Sequence, residues 1–276
     1  MMNLVDSRVF GRLKLRPSQV KVTSVREDSF LHTAELCFAT AIRLVPRRHR
    51  FGAAMLLARA ALPLFRRTDA YQEQEVKKFD DPQEIALHFV LNAMTRNGAL
   101  FDPSISVKGY EQFGQAYAAG KGVLVIGPHA ALTLLMVRVF HDRGLDPVVI
   151  SPDPRMRIGG TALTARTVQP SRMFLVKTRS RLRRGEVVCA MPDRAEHHGE
   201  RTVEFATAKG RVIVAPALIE LAARCGARVI FTEVHKEGRE LVGTIDAPSA
   251  ASADVITRDF MEFVRTRAKA RCARLD

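Results

Sequence analysis

Tryptophan is missing from the chain and tyrosine occurs three times, so aromatic residues reach only 7%. A surface that reads nucleic acid by stacking bases on rings has little to build with here, and no reading helix or stacking-strand motif is present. Cysteine is scarce as well. Cys37, Cys189, Cys225 and Cys272 form no CxxC pair, which argues against a zinc site or a disulfide framework and fits reduced thiols in a cytoplasmic protein. No uncharged apolar run is long. Between residues 30 and 65, Glu35, Arg43, the Arg47-Arg48-His49-Arg50 cluster and Arg59 cut the best stretch into pieces far short of the roughly 20 residues a bilayer requires. No apolar segment with a small-residue cleavage site follows the start, so a signal peptide is not expected. Acidic residues are also in short supply. The 29 Asp+Glu against 43 Lys+Arg leave a formal net charge of +14, a field that attracts nucleic acid, anionic lipid headgroups or an acidic carrier protein.

What is present is an ordinary globular balance, 47% hydrophobic and 26% charged, which excludes extensive disorder and supplies a substantial core for 276 residues. The chain is organised around residues 121–153. Gly122-Val-Leu-Val-Ile126 has no polar alternation, as expected of a strand buried on both faces in the middle of a sheet. Gly127-Pro128 breaks the ladder and delivers His129 at the carboxyl end, ahead of Leu132, Leu135, Met136 and Val139 at helical spacing. Gly144 closes that helix and residues 148–150 begin a second buried strand. The whole reads as a βαβ unit with an imidazole at its switch point, where open α/β sheets keep their chemistry. A lone histidine after a strand is as often a structural hydrogen-bonding residue, so position alone leaves both readings open.

Around this unit, residues 1–29 read as an arm and residues 30–276 as one α/β domain. Helical spacing runs over 30–45 up to Pro46 and over 51–65, giving two apolar helices with arginines between them that suit either a membrane interface or packing on the sheet. Asp81-Pro82-Gln83-Glu84 has the pattern of a capped helix start, with a stop at Asn97-Gly98. Residues 110–119 form a shorter helix. Further strands are expected at 172–176, 186–191, 202–206, 227–234 and 241–245, a short basic helix or connector at 178–184, and helices at 212–225 and 254–271. This alternation predicts a mostly parallel central sheet flanked by helices, with N-terminal apolar helices. His197-His198 has no third ligand spaced with it, so no metal site is expected.

The order Gly122-Val-Leu-Val-Ile-Gly-Pro-His129, Leu182-Arg-Arg-Gly-Glu-Val-Val188, Met191-Pro-Asp193, Val203-Glu-Phe205 and Gly226-Ala-Arg-Val229 resembles the lysophospholipid acyltransferase superfamily. It is most similar to the bacterial lipid A late (lauroyl/myristoyl) acyltransferase branch, over residues 30 to 245. The resemblance implies transfer of a fatty acyl group from an acyl carrier protein or coenzyme A thioester to a lipid hydroxyl, with no bound cofactor. It implies His129 as general base and Asp193 as the aspartate after the strand. The family's signature acid, four residues further on from the histidine's neighbour, is Leu134 here. The orienting carboxylate would then have to come from Asp153 or Asp193, both at strand ends, or ordinary transfer is lost. The family's basic residue after the second strand is replaced by Ser151, which leaves Arg155 and Arg157 to serve a phosphate, and the acid after Asp193-Arg194 is Ala195. The expected substrate-binding residues are Arg155, Arg157, Arg194 and Phe205. An acyltransferase on the cytoplasmic face of the inner membrane, held peripherally by anionic lipid, is the leading expectation. A catalytically inactive acyl or lipid binder stands next, and a basic nucleic-acid binder last.

Overall fold

Continuous apolar runs put four strands inside one sheet. The computed structural model of the chain describes residues 25–67, 82–101, 104–130, 132–193, 202–207, 210–238 and 240–272. Its strands are β1 (Ile105–Lys108), β2 (Val123–Ile126), β3 (Val148–Ile150), β4 (Arg166–Val168), β5 (Val187–Ala190), β6 (Val203–Thr207), β7 (Gly210–Val214), β8 (Arg228–Glu237) and β9 (Glu240–Asp246). Seven of them form a mixed sheet in the order β1-β9-β8-β2-β5-β3-β4, and β6 and β7 form a separate antiparallel pair. β8, β2, β5, β3 and β4 run parallel, whereas β9 returns antiparallel to β8 and carries β1 alongside it. The four runs read as buried strands are all interior, with β9 as the fifth interior strand, and every residue of β2 and β5 is buried.

Side-chain alternation divides the strands between two helical layers. Val125, Cys189 and Ile230 face the side packed by α1 (Val25–Arg43), α2 (Arg50–Phe65), α3 (Pro82–Arg96), α4 (Tyr110–Ala118) and α5 (Leu135–His141). Leu124, Val188 and Val229 face α6 (Phe174–Arg183), α7 (Ala217–Cys225) and α8 (Ala253–Cys272). Gly122 joins β2 to the second layer. At φ +74 it takes a conformation side chains avoid, and an added Cβ would stand 2.2 Å from the Leu182 carbonyl oxygen. No helix among the described residues is long and apolar enough to cross a membrane.

Several local expectations are corrected. Residues 172–176 are not a strand: α6 begins at Phe174, and Phe174, Thr178 and Leu182 are buried at a four-residue interval. Met173 to Val176 is a short apolar run, which periodicity alone does not assign. Residues 212–225 are not one helix. Val212 and Val214 are buried around the exposed Ile213, the period of a strand, and α7 starts only after Pro216. The helix after β2 begins at Leu135 behind a turn at 132–134, and α1 begins at Val25, within the segment read as an arm. The short strands β1 and β4 were not expected. Glu84 is buried, and its Oε1 accepts the Lys236 N–H at 2.8 Å; Asp81, with which the capping pattern would be formed, lies outside the described residues.

A polar cluster is buried along β8. His235 Nδ1 lies 3.4 Å from Glu233 Oε1 and its Nε2 3.0 Å from Glu237 Oε1, while Arg267 Nε of α8 stands 3.3 Å from Glu233 Oε1. The Glu233 carboxylate raises the His235 pKa above the ordinary imidazole value; burial opposes it, and Glu237 and the Glu84 charge add to it. A raised folded-state pKa means stability that is fully present below the unfolded value of about 6.5 and is lost as pH rises through the folded value. The stability advantage of wild type over His235→Gln is therefore expected to shrink as pH rises from about 6 to 9. Thermal unfolding of the two proteins across that range checks it, and an advantage that stays flat or grows would remove the assignment.

Candidate active site

Two adjacent strands end on a Pro-containing turn and each delivers an ionisable residue. β2 pairs with β5 through Ile126 and Ala190, and the Gly127 N–H donates to the Ala190 carbonyl at 3.1 Å, one step past the ladder. His129 follows β2 and Asp193 follows β5. The structure brings them together: Asp193 Oδ2 accepts the His129 backbone N–H at 2.6 Å. That is the length of a charge-assisted bond, and it fastens the loop carrying the imidazole. The Pro192 carbonyl in turn accepts the Ala215 N–H at 2.8 Å, which ties the Asp193 turn to the segment entering α7.

The chain reverses direction at this point. From β2 it crosses by α5 to β3 on one face, and from β5 by α7 to β8 on the other. The crevice between β2 and β5 is thus the switch point of the sheet, the place where open α/β folds bind their ligands. Gly127 makes the close approach possible: a Cβ there would stand 2.5 Å from the Thr232 carbonyl oxygen and 2.6 Å from Thr133 Cγ2.

From His129 a cavity of about 190 Å³ runs between the sheet and α5. Val125, Val149 and Cys189 form its floor and Met136 and Val137 its roof, with His129, Thr133, Ser151 and Thr232 as the polar groups. A mainly apolar lining with a few convergent polar groups is the usual make-up of a small-molecule site. Burial pushes the Cys189 thiol up to about 12, so it stays protonated at neutral pH and is no nucleophile. The Thr133 hydroxyl is buried with no hydrogen-bond partner among the described residues, a costly state for a donor unless water or a ligand completes it.

The other expected site residues are placed less centrally. Leu134, where the resemblance would have placed an acid, lines the cavity with His129 as an apolar wall element. Asp153 serves its own turn: its Oδ1 accepts the Arg155 N–H at 2.9 Å, and its N–H donates to Ser151 Oγ at 3.1 Å. Arg155 and Arg157 are exposed on either side of Met156, whose side chain reaches the cavity. Phe205 does not line this cavity. As an inward residue of the β6–β7 hairpin it is buried in the second core, with the Arg265 guanidinium 5.7 Å from its ring centre. Arg194, His197 and His198 lie outside the described residues. Thr232 was missed by sequence reasoning, although a hydroxyl inside the apolar run of β8 was the available signal; its Oγ1 donates to the Thr244 carbonyl at 3.1 Å. No protein-family model matches the chain, and no curated protein is significantly similar to it.

Proposed function

We propose that the protein is an acyltransferase that moves a fatty acyl group from a thioester of acyl carrier protein or coenzyme A to a hydroxyl or amine of a lipid acceptor. What carries this reading is the convergence of His129 and Asp193 at the mouth of an apolar cavity at the switch point. An alcohol is a poor nucleophile until a base takes its proton, and imidazole does so near neutral pH. The His129 ring accepts the acceptor's proton as its oxygen attacks the thioester carbon. The tetrahedral oxyanion then collapses, the C–S bond breaks, and the imidazolium returns the proton to the departing thiolate. The Thr133 hydroxyl and backbone N–H groups are the donors we assign to the oxyanion. Asp193 acts by holding the backbone that carries His129.

The lipid side of the reading draws on α1 and α2. Leu44 and Leu56 are 84% and 71% exposed beside exposed Arg48, Arg59 and Arg67. An apolar groove of about 420 Å³ between these helices is lined by Phe38, Leu57 and Leu64. Apolar side chains among arginines suit the headgroup region of an anionic membrane, and this is where we place peripheral attachment to the cytoplasmic face.

Leu134 favours a second reading, an acyl binder without turnover, because no acid stands at the motif position. Incubation with an acyl thioester and a lysolipid separates the two. Transfer releases free thiol together with acylated product, whereas a binder retains the thioester intact. The cavity adds a finer test. Val137→Phe, which fills the roof of the cavity, is expected to shift the preferred acyl chain to a shorter length at a cost of about 1–3 kcal/mol in stability. Competition between thioesters of different chain length reads the shift, and an unchanged preference would place the chain elsewhere.

A further inference from the structure

α6 presents two unlike sides. Phe174, Thr178 and Leu182 point into the second core, while Met173 and Val176, 54% and 55% exposed, stand outside among exposed Arg172, Lys177, Arg179 and Arg183. Residues 172–184 contain no acid. The first carboxylate that follows in the chain, Glu186, is held at 2.8 Å by both Arg181 and Arg184. Among the described residues, Arg172, Lys177, Arg179 and Arg183 have no acidic partner. Like charges at helical neighbour spacing destabilise a helix in water, and two exposed apolar side chains among them gain nothing from solvent. A counter-charged surface with apolar contacts of its own relieves both.

We propose that this face docks an acidic protein bearing the acyl thioester. The identity of the cargo rests on the acyl-transfer reading; the docking does not. Position favours a protein over a lipid surface. α6 belongs to the helical layer on the opposite side of the sheet from α1 and α2, so a planar bilayer that meets one cannot meet the other. Position also favours delivery to the cavity. α6 follows β4 through Pro170, and Pro170 lines the cavity, so a carrier seated on the first turns of α6 lies beside its entrance.

The test is charge reversal with the triple variant Lys177→Glu, Arg179→Glu, Arg183→Glu, all exposed positions whose replacement leaves the unfolding midpoint essentially unchanged. Binding of a purified acyl carrier protein, followed by fluorescence anisotropy at low salt, is expected to weaken by about tenfold or more, as loss of several complementary charges at an interface does. Turnover of an uncharged acyl-pantetheine thioester, and co-sedimentation with anionic vesicles, should match wild type. Carrier binding that is undetectable in wild type or unaffected by the variant overturns the proposal, and so does a variant that loses vesicle binding instead. Charge-dependent carrier binding by a wild-type protein that transfers no acyl group supports the docking face and defeats the acyl-transfer reading alone.

Discussion

His129→Ala is expected to lower acyl transfer by roughly 10²–10⁴-fold, the contribution of a positioned general base, while the protein still folds and still binds the thioester. The imidazole follows the end of β2, half-buried and lining the cavity, so its replacement leaves the apolar side chains of both cores in place. A single-turnover measurement of product, paired with thioester binding, separates the roles. If His129 is only a structural hydrogen-bonding residue, stability falls by about 1–3 kcal/mol and activity persists in the folded fraction. A second substitution reads the vacancy in the family pattern. Leu134 lines the same cavity as His129, so Leu134→Glu is expected to raise activity where the new carboxylate reaches the ring. A drop in both activity and stability would mean that the apolar wall matters more than the missing acid.

Asp193→Ala is expected to cost nearly as much by another route. It leaves the His129 N–H without the carboxylate that now accepts it at 2.6 Å, and a bond of this charged kind is worth about 1.5–3 kcal/mol. The loop would then wander, and a displacement near 1 Å at a reacting group is enough to lose about 10²-fold in rate. The conservative variant is decisive. Asn keeps an oxygen that can accept the same N–H, so Asp193→Asn should recover most of the stability and a large part of kcat if Asp193 acts by holding the backbone. Should Asn prove as damaging as Ala in kcat while restoring the unfolding midpoint, the negative charge itself is what the reaction uses.

The interior of the sheet was legible because strands wet on neither face show no alternation. Residues 122–126, 148–150, 186–191 and 228–233 all carry that mark, and all four became interior parallel strands. His129 was legible for a related reason: Gly127-Pro128 cannot continue a ladder, so whatever follows must emerge at a strand end. The failures have equally local causes. In α6 the apolar Met173 to Val176 mimics a buried strand, and only the four-residue interval of Phe174, Thr178 and Leu182 tells otherwise. Phe205 was expected near substrate on family order, but alternation in its hairpin turned it into the second core. The cavity was illegible in principle, since its size depends on how far α5 stands off the sheet, and one sequence does not encode that separation in any pattern of residue types. The bond from Asp193 to the His129 backbone was hidden for the same reason, as it depends on β2 and β5 being neighbours across 64 positions of chain.

The order of strands also sets a timetable for folding. β2 pairs with β5 on one side and with β8 on the other, so the central and most apolar strand has one flank open until residues 228–231 have been made. Domains emerge from synthesis from the amino-terminal end, and an unpaired apolar strand edge invites pairing with other chains. β1 waits longer still, for its partner β9 at Leu241 and beyond. The crevice that holds His129 and Asp193 can therefore assemble from β2 and β5 while β8, β9 and β1 are not yet in place. Newly made chains would then carry a formed His129–Asp193 crevice beside an exposed strand edge, the state most in need of a chaperone's protection.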